Sequence, residues 1–163
     1  MKYRRFTLFV LMAVVSLTAC RQNQDNASQH SNYAAGSLGF PVMLNDVGIQ
    51  VDQAGLLSVQ DESNTDYAHV VLALTITNQS EYDVVPPTMT LVDAHGNIYP
   101  AWQSPLPYED QIARLPLSVP TGESGIGNLV FIVPKTAVQD DLRLRWESAV
   151  HGSRIDVYLG PVG

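Results

Sequence analysis

Four histidines and one serine are the side chains from which a hydrolytic or metal site could be built in this sequence. Ser124 lies in Gly122-Glu123-Ser124-Gly125, where the second glycine comes one residue too early for the Gly-x-Ser-x-Gly elbow of a serine hydrolase. No two histidines have the His-x-His or His-x₃-His spacing of a metal site, and none is spaced like a catalytic base and its partner. They are spread along the chain at His30, His69, His95 and His151. We therefore predict turn or surface histidines, no catalytic residue and no metal ligand.

Loop carboxylates and glycines could form two further kinds of site. Acidic residues gather within 61–66, 109–110 and 140–141, and such groups can bind Ca²⁺. The first group lacks the alternation and the glycine of an EF-hand loop. Gly125-Ile126-Gly127 is too short for a dinucleotide-binding fingerprint and opens a strand instead of a helix. We predict solvated acidic loops and no cofactor.

The single cysteine of the chain, Cys20, closes an N-terminal secretory signal. An apolar run from Leu8 to Val15 follows a basic beginning, and small residues precede the cysteine. The run is eight residues long, which is short of the ~20 that span a bilayer as a helix. The basic residues are Lys2, Arg4 and Arg5. Because no second cysteine exists, no intrachain disulfide is possible, and the hydrophobic core must stabilise the exported fold.

The end of this signal, Leu17-Thr18-Ala19-Cys20, resembles the lipobox of bacterial lipoproteins. In that family the cysteine sulfur receives a diacylglycerol, and the amine freed by cleavage can then be acylated. The resemblance implies that residues 1–19 are removed and that acyl chains on Cys20 hold the protein at a membrane. Arg21, not aspartate, follows the cysteine, which in a cell with two membranes implies the outer membrane facing the periplasm. The alternative is an ordinary signal peptide that happens to end near a cysteine.

Residues 20–38 follow the signal and lack any apolar period, which predicts a lipidated cysteine and a flexible tether. Removal of the signal takes three positive charges away and lowers the formal net charge from −7 to −10. That charge argues against a nucleic-acid partner, which would need a basic surface. An anionic membrane surface would repel the domain as a whole, so the lipid must hold it in place.

The stretch His69–Asn78 is the strand around which residues 39–163 are organised. Val70, Leu72, Leu74 and Ile76 alternate with smaller or polar residues, which predicts a strand with one buried face. Shorter alternating stretches follow the same rule, and no segment beyond the signal has a helical period. We read strands at 47–51, 82–85, 89–92, 97–99, 125–133, 142–147 and 155–159, and the stretch 55–59 either continues the first of them or pairs with it. Seven to eight short strands predict an all-β fold, an immunoglobulin-like antiparallel β-sandwich, with a closed barrel as the alternative.

The segment 100–120 is a proline-rich loop that carries two aromatic residues, Trp102 and Tyr108. Aromatic side chains held by prolines lose little entropy on binding and often anchor interfaces, so both are candidate partner-binding residues. The alternative is that they fold back and cap the open end of the sandwich. Trp146 alternates with charged residues and is predicted to lie in the core.

The order of four short motifs resembles a known family. They are Thr77-Asn78-Gln79-Ser80, the stretch from Met89 to Tyr99, the turn from Val119 to Ser124, and the strand from Leu129 to Pro134. Together they resemble the immunoglobulin-like domain of unknown function (DUF4352-like) that many bacterial lipoproteins and secreted proteins carry. A secreted mycobacterial immunoprotective antigen has a similar fold. The resemblance covers residues 45–160 and implies the fold, but it brings no catalytic signature.

These observations favour a non-enzymatic, lipid-anchored domain of the bacterial envelope that binds another protein or has a structural role. One alternative is an envelope hydrolase with a site built from non-sequential residues. It would show a pocket with a histidine and a carboxylate within hydrogen-bond reach. The other is a carrier of a metal ion or small ligand, which would need a cavity or clustered ligands.

Overall fold

The computed structural model describes residues 32–57, 66–104 and 112–163, and within them nine strands form two sheets. The first sheet has the order β1-β9-β8-β5-β6 and the second has the order β2-β3-β4-β7. The strands are β1 (Tyr33–Ser37), β2 (Val42–Leu44), β3 (Val47–Leu57), β4 (Tyr67–Asn78), β5 (Thr90–Val92), β6 (Ile98–Pro100), β7 (Ser124–Pro134), β8 (Leu142–Glu147) and β9 (Arg154–Gly160). The two sheets pack as a sandwich, which confirms the predicted all-β architecture.

Strand β4 lies at the centre of the second sheet, as its sequence predicts. It pairs antiparallel with β3 on one side and with β7 on the other. Its alternate residues are fully buried and face those of the first sheet: Val70, Leu72, Leu74 and Ile76. On β7 the residues opposite them include Phe131, which has no exposed surface. The apolar side chains between the sheets form one core, and Trp146 belongs to it as predicted.

The apolar stretches on either side of residue 52 belong to a single strand, β3, which is the first of the two alternatives that the sequence left open. Its register to β4 shifts between Val51 and Gln53, so Asp52 occupies a bulge. A bulge adds one residue to one strand of a pair and reverses the faces on which later residues lie. This is why the apolar alternation breaks in the sequence although the strand continues.

The chain joins the sandwich earlier than we predicted, because residues assigned to the tether form β1. This strand pairs parallel with β9, from Tyr33 opposite Arg154 to Ser37 opposite Tyr158. The folded domain therefore includes residue 33, not only residues 39–163, and its first sheet is not purely antiparallel. The stretch Tyr-Ala-Ala-Gly-Ser has no apolar period because none of its side chains is fully buried, and pairing with β9 holds it through the backbone. Small side chains are needed there, since a Cβ on Gly36 would lie 2.4 Å from Val42 on β2.

The segment before the double proline is the second difference from the predicted strands. Val84 makes one isolated antiparallel bridge with Val119, and a 3₁₀ helix, Pro86–Thr88, follows at once. The prolines supply no backbone N–H and cannot continue a ladder, so the pairing ends after a single bridge. Strand β2, only three residues long, was not predicted.

Two hairpins connect strands of the first sheet. Between β5 and β6 the chain turns at Gly96, which has a φ of 87°, a left-handed conformation that glycine adopts without steric cost. Strands β8 and β9 pair across the turn that contains Gly152, which has a φ of 60°. Their inward residues alternate with charged residues that lie on the outer surface of the sheet.

Candidate functional site

Of the three residues that the sequence singled out, only Trp102 belongs to the described part of the chain. Cys20 and Tyr108 lie outside the described residues. Trp102 is 40% exposed, and its backbone N–H donates to the carbonyl of Val130 on β7 at 2.7 Å. The tryptophan is thus fixed by its backbone to the edge of the second sheet, while its side chain remains accessible.

Both ends of the proline-rich loop lie along this free edge of β7. Ala101 bridges Phe131, and Arg114 bridges Asn128. At the C-terminal end of the loop, Asn128 donates from both its backbone N–H and its side-chain amide to the carbonyl of Ala113, each at 2.8 Å. The loop ends therefore satisfy the polar groups that an edge strand would otherwise expose.

The side chain of Arg114 ties the two ends of the loop together. Its Nη2 donates to the carbonyl of Ser104 at 2.7 Å, and its Nη1 lies 3.4 Å from the carbonyl of Trp102. The guanidinium group has a planar fork of donors that can contact two carbonyls at once. The loop ends are held at a fixed separation next to Trp102.

A shallow groove, the Trp102 groove, opens between these segments. Trp102, Pro87 and Leu117 form its rim, and Leu117 is 78% exposed. Val130 and Leu129 of β7 lie at its base. Among the described residues its lining is mainly apolar and includes no carboxylate or histidine, so this part of the groove suits contact with an apolar side chain.

The described histidines lie away from this groove. His95 Nδ1 is 3.5 Å from Asp140 Oδ2, but both side chains are well exposed. His151 packs edge-on against Tyr82 with 5.4 Å between ring centroids. Burial lowers the pKa of His69, which lies on β4.

Ser124 is exposed at the start of β7 and pairs with Thr77. Within the described ranges, no three His, Cys, Asp or Glu side chains come together as a metal site would require.

Asp93 is a buried carboxylate with a structural role in the β5–β6 hairpin. It accepts bonds from the backbone N–H groups of His95 and Asn97, each at 2.9 Å. Asn97 Nδ2 at 2.8 Å and the Tyr99 hydroxyl at 2.9 Å complete the set. Burial opposes ionisation, but the hydrogen bonds together outweigh it and hold the Asp93 pKa at about 2.

The outer surface of the first sheet carries a second cluster, which the sequence analysis did not single out as a site. We call it the arginine face. Register places its side chains together: Arg145 lies opposite Asp156, Arg143 opposite Tyr158, and Tyr33 opposite Arg154. In the sequence, the alternation Arg143-x-Arg145 indicates only that these two side chains face solvent on β8. Only the pairing with β9 and β1 reveals that a third arginine and two tyrosines join it.

Asp156 is the centre of the arginine face and is only 1% exposed. Arg145 Nε donates to Asp156 Oδ1 at 2.9 Å, and its Nη2 lies 3.3 Å from Oδ2. The hydrogen bond to Asp156 raises the pKa of Arg145. Arg154 Nε and Arg143 Nε lie 3.7 and 3.9 Å from Oδ2. Three cations therefore surround one buried carboxylate.

Two tyrosines hold the outer arginines of this face. The Arg154 guanidinium lies 4.8 Å from the Tyr33 ring centroid, and the Arg143 guanidinium lies 5.9 Å from that of Tyr158. A hydrogen bond with Tyr158 is the main cause that raises the pKa of Tyr33. The buried Nε atoms of Arg143 and Arg154 have no hydrogen-bond acceptor. Asp156 balances part of the charge of these two arginines, but their Nε–H groups make no hydrogen bond.

The described residues include no helix that is long and apolar enough to cross a membrane. A family model described as "Domain of unknown function (DUF4352)" matches residues 36–154. The match begins inside β1 and ends at the first residue of β9. A comparison with curated protein sequences found no match.

Several solved structures are similar to this chain. The yjhA protein from Bacillus subtilis is 14% identical, with a TM-score of 0.56, and the alignment covers 76% of this chain and 99% of that one. An uncharacterized beta-sandwich protein from Clostridium difficile 630 is 12% identical, with a TM-score of 0.45, over 76% of this chain and 92% of that one. At this identity the first likeness concerns the fold alone.

Proposed function

The chain belongs to the DUF4352 family of β-sandwich domains, and on that premise we propose that it is a lipid-anchored lipoprotein of the bacterial envelope whose domain binds another envelope protein without catalysis. The observation that carries the binding role is Trp102, a large aromatic side chain that is 40% exposed while its backbone is fixed to β7. Fixed aromatic side chains lose little entropy on association and are frequent anchors of interfaces.

The anchor rests on the sequence Leu17-Thr18-Ala19-Cys20. Lipidation of Cys20 would keep the domain at a membrane without any contribution from its net charge. Arg21 after the cysteine favours the outer membrane in a cell with two membranes, with the domain in the periplasm. A single cysteine in an exported chain cannot form an intrachain disulfide, and a role as acyl acceptor would explain its presence.

The partner that the Trp102 groove suits is a protein that inserts an apolar side chain beside Trp102. Pro87 and Leu117 extend the apolar rim, and Arg114 holds the loop ends at a fixed separation. A groove of this kind is preformed, so binding requires little ordering of the loop ends. Tyr108, on the same loop, is proposed to take part in the contact.

A non-enzymatic role is supported by where the candidate catalytic groups lie. The pair that a hydrolase would need is a histidine and a carboxylate inside a pocket. His95 and Asp140 are 3.5 Å apart, but water reaches both side chains and neither is among the described residues that line the Trp102 groove.

The anchor is tested by mass spectrometry of the membrane fraction from cells that produce the wild type or Cys20→Ser. We expect acylated Cys20 at the N-terminus of the mature wild type, and unprocessed or released protein for the variant. An unmodified cysteine on a freely released wild-type protein would overturn the anchor.

The partner is tested by placing a photo-crosslinking amino acid at Gln103 in the full chain, in cells. Gln103 lines the groove next to Trp102 but leaves the tryptophan intact. We expect one envelope protein to be crosslinked, and Trp102→Ala to abolish the product. The matched control places the crosslinker at the exposed Ile126. A product that persists in Trp102→Ala, or that forms equally from position 126, would contradict the role of the groove.

A further inference from the structure

The arginine face carries more positive charge than its buried carboxylate requires. Three of the five lysine and arginine residues in the described part of the chain lie on it, although that part also carries eleven acidic residues. Arg145 alone gives Asp156 a two-point contact. Arg143 and Arg154 are therefore additional cations, and Glu147 is the second carboxylate on this surface, exposed at the margin.

The two additional arginines are arranged to bind an oxyanion. Each lies beside a half-exposed tyrosine ring, which limits the rotamers that the guanidinium group can adopt. Their Nε–H groups are buried and lack an acceptor, while 29% of the Arg143 side chain and 42% of the Arg154 side chain are exposed. Next to Arg154, a polar depression is lined by Asn32, Tyr33 and Ser148, and the carboxylate of Glu147 lines it as well. Guanidinium donors with a planar fork match the oxygens of a phosphate group.

The position of this face in the chain restricts what it meets. Tyr33, a residue of the arginine face, is the first residue of β1, so the chain enters the sandwich at this surface. Eleven residues separate Cys20 from Asn32. A polypeptide spans at most about 3.5 Å per residue, so the face lies within about 40 Å of the lipidated cysteine.

We propose that the arginine face docks the domain on the phosphate groups of the phospholipid membrane that holds the acyl chains of Cys20. The inference rests on the lipid anchor proposed above and adds an orientation to it: the first sheet faces the membrane, and the Trp102 groove remains open to a partner. Tyrosine and arginine side chains are well suited to this zone, where an apolar body meets a charged layer.

The negative charge of the rest of the domain strengthens this orientation. An anionic membrane surface repels the domain as a whole, as the sequence predicts, but attracts the one surface on which arginines are concentrated. The lipid supplies the attachment, and the uneven charge selects the side that faces the membrane. Such attraction falls off within a Debye length of about 10 Å at 0.1 M salt, so added salt should weaken the orientation.

The test uses the full, acylated chain reconstituted into vesicles. A fluorophore is attached at Val150→Cys, in the β8–β9 turn beside the depression, because Val150 is exposed and belongs to none of the arginine–tyrosine contacts. The matched control carries the fluorophore at Ile126→Cys, exposed on the outer surface of the opposite sheet. A nitroxide on the lipid head group reports proximity through quenching. Acylation blocks the native thiol of Cys20, so labelling is specific.

We expect quenching at position 150 to exceed that at position 126 in phosphatidylethanolamine–phosphatidylglycerol vesicles. The difference should disappear in vesicles of an uncharged galactolipid, which has no phosphate. It should also disappear in Arg154→Gln, but persist in Lys135→Gln, which removes an exposed cation elsewhere. Because Arg145 keeps Asp156 paired in Arg154→Gln, that variant should retain the circular dichroism spectrum and melting temperature of the wild type.

Vesicle flotation separates the two proposals. A chain that fails to float with either kind of vesicle lacks the lipid anchor, which overturns the proposed attachment and this inference with it. A chain that floats but is quenched equally at positions 150 and 126 keeps the anchor and overturns only the orientation. A fluorescence response to inorganic phosphate, without any preference for phospholipid vesicles, would assign the face to a soluble phosphate compound and overturn membrane docking.

Discussion

Asp156 and Arg145 lie opposite each other on β9 and β8, and their side chains meet at 2.9 Å on the outer surface of the sheet. The carboxylate is almost completely buried there because Arg143 and Arg154 cover it from two sides. A charge so far removed from water is tolerated only when it is paired and hydrogen-bonded. The arginine face is therefore a stabilising cluster as well as a surface, and its centre and its margin should respond differently to mutation.

Asp156→Asn should destabilise the protein strongly. The variant leaves three neighbouring guanidinium groups without their central counter-charge, and removal of one partner of a buried ion pair costs about 3–5 kcal/mol. Urea denaturation followed by circular dichroism measures the change in the free energy of unfolding. Glu147→Gln is the control, because Glu147 lies 4.0 Å from Arg145 but is largely exposed, and its loss should cost less than about 1 kcal/mol. Equal effects of the two variants would contradict a central role for Asp156.

Asp93 should make the stability of the hairpin depend on acid pH. Its pKa falls from 3.8 to about 2 on folding, so the folded state favours the ionised carboxylate. The stabilisation is present above about pH 4 and is lost as the pH falls toward 2, because the carboxyl group is then protonated in the folded and unfolded states alike. At pH 7, Asp93→Asn should cost about 2 kcal/mol, since an amide has one acceptor oxygen and cannot accept both the backbone bonds made to Oδ1 and the side-chain bonds made to Oδ2.

The measurement is urea denaturation of wild type and Asp93→Asn at pH 7, 3 and 2. The part of the difference that comes from ionisation should fall by about half at pH 3, which lies between the two pKa values, and shrink further at pH 2. Asp83→Asn serves as the control, because Asp83 bonds to Ser118 on the surface. A difference that stays constant down to pH 2 would show that ionisation of Asp93 does not contribute.

Periodic strands could be predicted because each one buries one face. The alternation around Leu72 and around Leu144 gives strand, burial and side of the sheet directly from the sequence. The bulge at Asp52 and the edge strand that begins at Tyr33 could not be predicted in this way. A bulge breaks the period. Strand β1 has no fully buried side chain, so its sequence shows no apolar alternation.

The two candidate surfaces also differ in how far they could be predicted from the sequence. Trp102 could be proposed from the sequence because a tryptophan among prolines is conspicuous by its type alone. The arginine face depends on register: Arg154 lies eleven residues beyond Arg143, and Tyr33 lies more than a hundred residues before both. The pairing of β9 with β8 on one side and with β1 on the other brings them together. Residues that meet across strands distant in the chain carry no local signal of their contact.

Gly127→Ala should displace one end of the proline-rich loop from β7. A Cβ at this position would lie 2.6 Å from the backbone of Arg114 and Leu115, and backbone cannot move aside as a flexible side chain does. We expect a loss of about 1–3 kcal/mol, as for other overpacked sites. Hydrogen exchange should become faster at the amides of Leu115 and Asn128, which are bonded across this contact.

Gly55→Ala provides the matched control for this change. Gly55 lies on β3 of the same sheet, and an added Cβ there would meet no atom within 4 Å. Its substitution should leave both the free energy of unfolding and the exchange of Leu115 close to the wild-type values. If Gly127→Ala is equally neutral, the segment containing Leu115 does not pack on β7 in solution.

Arg114→Gln should loosen the rim of the Trp102 groove while leaving the sandwich intact. The substitution removes the bond to the Ser104 carbonyl at 2.7 Å and the weaker contact with the Trp102 carbonyl. Because these contacts lie near the surface, the loss of stability should be about 1 kcal/mol or less.

Fluorotryptophan NMR should show the Trp102 resonance, assigned with Trp102→Phe, moving toward the position of a solvated ring, while the buried Trp146 resonance stays in place. Arg114→Lys should behave like Arg114→Gln, since an ammonium group cannot contact the two carbonyls with one planar fork. A Trp102 resonance that is unchanged in both variants would mean that the tryptophan is held by its bond to Val130 alone.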